Sequence, residues 1–211
     1  LNGVAWYLSV QAFLYAIFPW LLAVLKKADT RRLRCIAAAI FCAQFLFSFA
    51  IWKAGLSGKA VFYLTYLCPL FRAGDFAISC CMGCLYRSRK EERIPYGAFS
   101  LLELASVLFS GGCFFIAARQ VGALGAVAFR YNVLFTPSAV LLVWLLAVGK
   151  GVISRLLSAK PFLWLAGLSP YGFLIHQVLI RYMELAANKL GLTAHPVVWT
   201  LTVYLLTLCL S

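Results

Sequence analysis

The nineteen lysines and arginines of this chain fall in clusters, and the apolar runs between the clusters are roughly 15 to 24 residues long. A helix rises 1.5 Å per residue, so runs of that length match a hydrocarbon layer about 30 Å thick. The quantity of apolar material points to the same solvent. Of 211 residues, 64% are apolar and 12% are charged. A soluble domain of this size cannot hide that excess in one core and still show water a polar surface. The expected fold class is therefore all-α, a polytopic transmembrane helix bundle. Apolar runs recur to the last residue and no small-residue cleavage pattern follows the first, so a signal peptide does not explain them.

Seven segments read as spans: Trp6 to Leu25, Cys35 to Trp52, a short one from Gly74 to Tyr86, Gly97 to Ala118, Val133 to Val148, Phe162 to Leu185, and one that begins near Pro196 and is still apolar at Ser211. The loops between them alternate in charge. One side collects Lys26, Lys27, Arg31, Arg32, Arg34, Arg87, Arg89, Lys90, Arg93, Lys150, Arg155 and Lys160. The other has Lys53, Lys59, Arg72, Arg119, Arg130, Arg181 and Lys189. Basic loops stay in the cytoplasm, so residue 1 is expected on the extracytoplasmic side. A chain that opens there on Leu1 just before a span is expected to lack an odd number of helices at its N-terminus, and it ends as abruptly. The net charge of +13 orients helices here. No basic face is interleaved with stacking aromatics, which argues against nucleic acid as a partner.

The cysteines are Cys35, Cys42, Cys68, Cys80, Cys81, Cys84, Cys113 and Cys209. Cys81 and Cys84 have the spacing of a metal or redox pair, but no second pair or spaced histidines complete a site. They read as small residues that let helices approach in lipid, and no metal is expected.

Ionisable and amide groups within spans are costly and are therefore candidate site residues. Ser169, Phe173 and His176 fall on one helix face, with Gly172 beside them and Pro170 bending or opening the helix. His176 could bind substrate, relay a proton or simply join two helices. Arg72 and Asp75 are spaced to pair on one face, either as an anchor at the helix end or as part of a site. Ser9, Gln11 and Tyr15 could be interhelical glue or ligand contacts. Glu103 must find a partner or take a proton, and His195 reads as an interface residue. There is no Gly-x-Ser-x-Gly elbow and no glycine-rich phosphate loop. These groups suit an enzyme, a transporter or a sensor equally.

Three stretches carry a resemblance. Trp6-Tyr-Leu-Ser-Val-Gln-Ala-Phe-Leu-Tyr15-Ala-Ile-Phe-Pro19 resembles a signature of the acyltransferase family 3 membrane proteins, Trp-Ser-Leu-Ser-Val-Glu-Glu-Phe-Phe-Tyr-Leu-Leu-Phe-Pro. Arg72-Ala-Gly-Asp75-Phe76 is similar to the family's Arg-Leu-x-Glu-Phe. Leu165-Ala-Gly-Leu-Ser169-Pro-Tyr-Gly-Phe173-Leu-Ile-His176 resembles Leu-Gly-Lys-Ile-Ser-Tyr-Ser-Ile-Tyr-Leu-Ile-His. Together with Pro137 and Leu156-Leu-Ser-Ala-Lys-Pro161, they stand in order across essentially the whole chain.

The resemblance implies one transmembrane acyltransferase domain over 1–211, seven spans of an expected ten, truncated at the N-terminus and at the C-terminus. It implies transfer of an acyl group, commonly acetyl, from cytoplasmic acyl-CoA to a hydroxyl of a cell-envelope carbohydrate or lipid-linked sugar, in a bacterial inner membrane. Arg72, Asp75 and His176 would be catalytic, with Trp6, Ser9, Gln11, Tyr15 and Ser169 near substrate. A histidine in the missing helices would be the general base. The family's Glu-Glu is Gln11-Ala12 here, its second motif ends in Asp75, and Pro170 replaces a tyrosine. A flippase for an envelope intermediate, or a degenerate non-catalytic member, is the alternative reading.

Overall fold

The computed structural model describes residues 5–88, 95–190, 199 and 202–207, and among these every regular element is helical. Helix α1 spans Ala5–Leu25, α2 Thr30–Lys53 and α3 Gly58–Phe62. A π turn at Tyr63–Leu67 leads into α4, Pro69–Ser88. Helix α5 spans Tyr96–Arg119, α6 Val127–Arg130, α7 Thr136–Val148, α8 Val152–Leu157 and α9 Lys160–Leu190. Residues 202–207 are helical as well. The chain divides into two bodies, one of Val10–Arg155 and one of Leu1–Ser9 with Leu156–Ser211. Arg89, Lys90, Arg93, His195, Pro196 and Cys209 lie outside the described residues.

Local chemistry sets the boundaries. The Asp29 carboxylate accepts the Arg32 backbone N–H at 2.8 Å and starts α2. Pro69 opens α4 and Pro137 opens α7, positions where the missing N–H costs nothing. Gly149, at φ 72°, stops α7.

Burial in the larger body is inverted relative to a soluble protein. Ser48, Thr65, Glu103 and Ser106 are wholly buried, while Trp20 is 71% exposed, Leu70 76% and Phe114 65%. Water would reverse that choice. Lipid rewards it, because polar groups must satisfy one another inside while apolar groups face the tails. The interior has apolar patches too. Leu25, Leu33, Cys81 and Leu85 tie α1, α2 and α4 together, and Phe99, Leu145 and Val148 tie α5 to α7. Cys81 is thus a core residue.

Among the described residues, four helical runs are long and apolar enough to cross a membrane: Trp6–Leu25, Thr30–Lys53, Gly58–Ser88 and Tyr96–Arg119. Helix α9 makes a fifth if its two arms, bent by 62° between Phe173 and Val178, form one span. The expected count of seven is not confirmed, and the seventh expected span, from Pro196 to Ser211, lies largely outside the described residues. The segment expected to span from Val133 is a helix of 13 residues, about 20 Å long and short of the ~30 Å core. The third run begins well before Gly74, because α3 and the π turn fold a stretch that reads as loop, with only the extended Cys68 between them and α4. The Cys68 N–H reaches the Tyr63 carbonyl at 2.8 Å, and the Thr65 hydroxyl bonds the Val61 carbonyl at 2.8 Å. Arg72 and Asp75 sit in the first two turns of α4, within that run.

Helices α2 and α4 meet at Gly74. A Cβ there would stand 2.6 Å from Gln44 Nε2 and 3.3 Å from the Ile40 side chain. Gly74→Val should therefore cost about 1–3 kcal/mol by overpacking and displace the Gln44 amide from its partners. A lowered melting temperature of the detergent-solubilised protein checks this, and an unchanged one would show that α2 and α4 are not held at this distance.

Candidate functional site

The Arg72–Asp75 pair expected from its spacing forms, with Arg72 Nη1 3.1 Å from Asp75 Oδ2. Its side chains are 18% and 26% exposed, so both ions have lost most of their solvent. Such a pair persists only when further hydrogen bonds complete it. Arg72 Nε donates to the Tyr66 carbonyl at 2.8 Å, an acceptor presented by the π turn. Arg72 Nη1 also donates to Asn132 Oδ1 at 3.3 Å, and the guanidinium lies over the Tyr66 ring, 4.8 Å from its centroid. On the other side, Gln44 Nε2 donates to Asp75 Oδ1 at 3.1 Å and to the Phe71 carbonyl at 2.9 Å.

Gln44 and Asn132 are thus part of the cluster, and neither was singled out from sequence. Gln44 had a signal, a lone amide inside an apolar run. Asn132 had none, because it sits just before α7 and only the fold brings it to Arg72. Both are 6% exposed, and Asn132 Nδ2 and Gln44 Oε1 have no hydrogen-bond partner among the described residues. A buried polar atom left unpaired costs about 1–3 kcal/mol, so each of these two atoms marks a place where a water or a ligand group would be held.

The cluster heads a cavity of about 530 Å³ between α4 and α7. Arg72, Asp75, Tyr131, Asn132 and Thr136 line its polar end, and Ile78, Met82, Val140, Val143 and Trp144 its walls. The lining runs from Arg72 to Tyr86, about 21 Å along the helix axis. A second cavity of about 1080 Å³ lies on another side of α4, lined by Leu22, Lys26, Asp29, Cys80, Cys84 and Arg87. No group of three His, Cys, Asp or Glu side chains able to hold a metal occurs among the described residues.

Glu103 has a structural explanation. It is fully buried, and its Oε1 accepts the Gly151 N–H at 3.1 Å. Its Oε2 accepts Ile153 N–H at 2.8 Å and Ser154 N–H at 3.2 Å. A carboxylate from α5 thereby caps the first turn of α8, whose amides would otherwise be orphaned. Gly151 is required there, since a Cβ would land on the carboxylate.

The smaller body holds the other candidates. Ser169, Gly172, Phe173 and His176 line one cavity of about 1020 Å³, joined there by Trp199, Tyr204 and Thr207. The Phe173 ring stands 5.6 Å from the His176 ring and 5.1 Å from that of Tyr7. His176 lies at the break in α9, six residues beyond Pro170. Trp6 is half-buried and edge-on to Tyr7 at 6.3 Å, and Ser9 is exposed. In the larger body Gln11 Nε2 donates to the Tyr15 hydroxyl at 2.7 Å, with Tyr15 62% exposed. Trp6, Ser9, Gln11 and Tyr15 do not line the cavities at Arg72, Lys26 or His176.

A comparison with curated proteins and with solved structures finds no match. The family model of the acyltransferase 3 proteins, described as an acyltransferase domain, matches residues 1–211. The match spans Arg72 and its partners, the cavities and the bent helix of His176 alike: the chain belongs to acyltransferase family 3, an acyltransferase domain in a bundle of membrane-spanning helices.

Proposed function

We propose that the protein transfers an acyl group, commonly acetyl, from cytoplasmic acyl-CoA to a hydroxyl of a cell-envelope carbohydrate or lipid-linked sugar, in a bacterial inner membrane. The carrying observation is the Arg72–Asp75 pair, held by Gln44, Asn132 and the Tyr66 carbonyl at the head of an apolar cavity. The acceptor oxygen attacks the thioester carbonyl, the carbon–sulfur bond breaks, and the acceptor's proton leaves through a base while the thiol departs. Arg72 would steady the oxyanion, a role in which pre-aimed donors are worth about 10²–10³-fold. Asp75 and Gln44 fix its direction. Ser169 and His176 line a cavity within the smaller body whose aromatic walls and few polar groups suit a sugar.

Basic loops mark the cytoplasmic side, so the end of α4 bearing Arg87 takes the donor and the end bearing Arg72 faces outward. Envelope carbohydrate isolated from cells with and without the gene tests the reading. Alkali-labile acetate present only with the gene is expected, and identical acetate content in both would count against it. His176→Ala should lower transfer by about 10²-fold if the imidazole relays protons, measured as acetate released per unit of inserted protein. Unchanged release would remove His176 from the site.

A further inference from the structure

At the head of the Arg72 cavity the polar side chains are largely committed to one another. Arg72 Nε and Nη1 donate to the Tyr66 carbonyl, to Asp75 and to Asn132. Both Asp75 oxygens accept, one from Arg72 and one from Gln44. The Thr136 hydroxyl donates to the Asn132 carbonyl at 3.3 Å and stands 3.4 Å from Asn132 Oδ1. Asn132 Nδ2 differs from all of these. It is buried, it belongs to a residue that lines the cavity, and it has no partner among the described residues.

Charge sets which way this amide points. Arg72 presents N–H groups, so Asn132 turns its oxygen to the guanidinium and its nitrogen away. The two Oδ1 contacts, at 3.3 and 3.4 Å, are longer than the usual range of about 2.7–3.2 Å. The amide is thus held in direction without being clamped, with room to tip Nδ2 toward an oxygen in the cavity. Nδ2 shares its amide carbon with Oδ1, so a single oxygen can stand about 3 Å from both Nδ2 and the Arg72 guanidinium.

We propose that Asn132 is a second catalytic donor, its Nδ2 bonding the carbonyl oxygen of the acyl group as negative charge develops there. The inference rests on the acyl-CoA reading above. In that reaction the acceptor hydroxyl oxygen bonds to the thioester carbon, and the C=O electron pair moves onto the carbonyl oxygen. The pair returns as the carbon–sulfur bond breaks, and the hydroxyl proton ends on the CoA thiol. Arg72 brings positive charge to that oxygen and Asn132 brings a directed N–H. Shielding from water strengthens both contributions. One amide then serves the ion pair with its oxygen and the substrate with its nitrogen.

The test measures transfer from acetyl-CoA by wild type, Asn132→Asp and Asn132→Ala in membranes matched for inserted protein, with melting temperatures of the solubilised proteins. Asp keeps an oxygen for Arg72 and lacks the N–H, while Ala lacks both and adds no charge. In both variants kcat is expected to fall by about 10²-fold or more. KM for acetyl-CoA should stay within about threefold, because the bond forms only in the transition state, and Asn132→Asp should melt close to wild type. A wild-type kcat in Asn132→Asp would overturn the proposal and leave Asn132 as a positioning residue for Arg72. A raised KM with kcat kept, or a melting temperature of Asn132→Asp that falls together with its rate, would overturn it as well. Each of these leaves the acyl-CoA reading standing. No transfer from acetyl-CoA by wild type removes that reading, and this inference with it.

Discussion

Arg72→Ala is expected to lower acyl transfer by about 10²–10³-fold while the protein still inserts. The guanidinium makes three directional bonds, to the Tyr66 carbonyl, Asp75 and Asn132, and its removal leaves the polar end of the cavity without a cation. Insertion survives because the apolar runs that span the membrane are untouched, and because Gln44 still donates to Asp75. Arg72→Lys separates charge from geometry. An ammonium is a point charge and cannot reproduce the planar fork between a carbonyl, a carboxylate and an amide, so Lys should recover only part of the loss. Initial rates in membranes matched for protein content check both variants. Wild-type rates in Arg72→Ala would reduce the pair to a helix anchor.

The second large effect is on stability. Glu103→Ala leaves the N–H groups of Gly151, Ile153 and Ser154 without the carboxylate that accepts all three. At about 1–3 kcal/mol for each buried unsatisfied group, partly relieved by the Ser154 hydroxyl near Gly151, the loss should be about 4 kcal/mol. Gly151→Ala should approach it by a different route, forcing the carboxylate away. Glu103→Gln should fall between wild type and Ala, because one carbonyl oxygen still accepts while the amide nitrogen faces N–H groups. Denaturant titration of the solubilised protein reads all three. Equal stability of wild type and Glu103→Ala would show that α8 does not need its cap.

Both results bear on how far the sequence could be read. Charge spacing reveals a membrane bundle because bilayer thickness acts on every run alike, and the i, i+3 spacing of Arg72 and Asp75 reveals a pair because both are on one helix. Asn132 is sixty residues from Arg72, and no local pattern announces a contact at that range. Glu103 stands out as a buried acid, but its partners are backbone N–H groups, which have no signature in a sequence. The segment before Arg72 reads as loop, yet Gly58–Phe62 is an α-helix and Tyr63–Leu67 a π turn, with the extended Cys68 between them and α4. The expected span from Val133 is a helix of 13 residues, Thr136–Val148, because an apolar run says that a helix is buried in lipid or protein and leaves its length to the turns on either side.

The most direct test of the central claim is transfer from labelled acetyl-CoA in sealed membrane vesicles that contain the protein, with Arg72→Ala vesicles alongside. The account predicts label in an alkali-labile ester on a carbohydrate acceptor, with free CoA released in equal amount and both lost in the variant. Untouched acetyl-CoA, with a carbohydrate intermediate moving across the same vesicles, would contradict it and favour a transport path at the bend in α9.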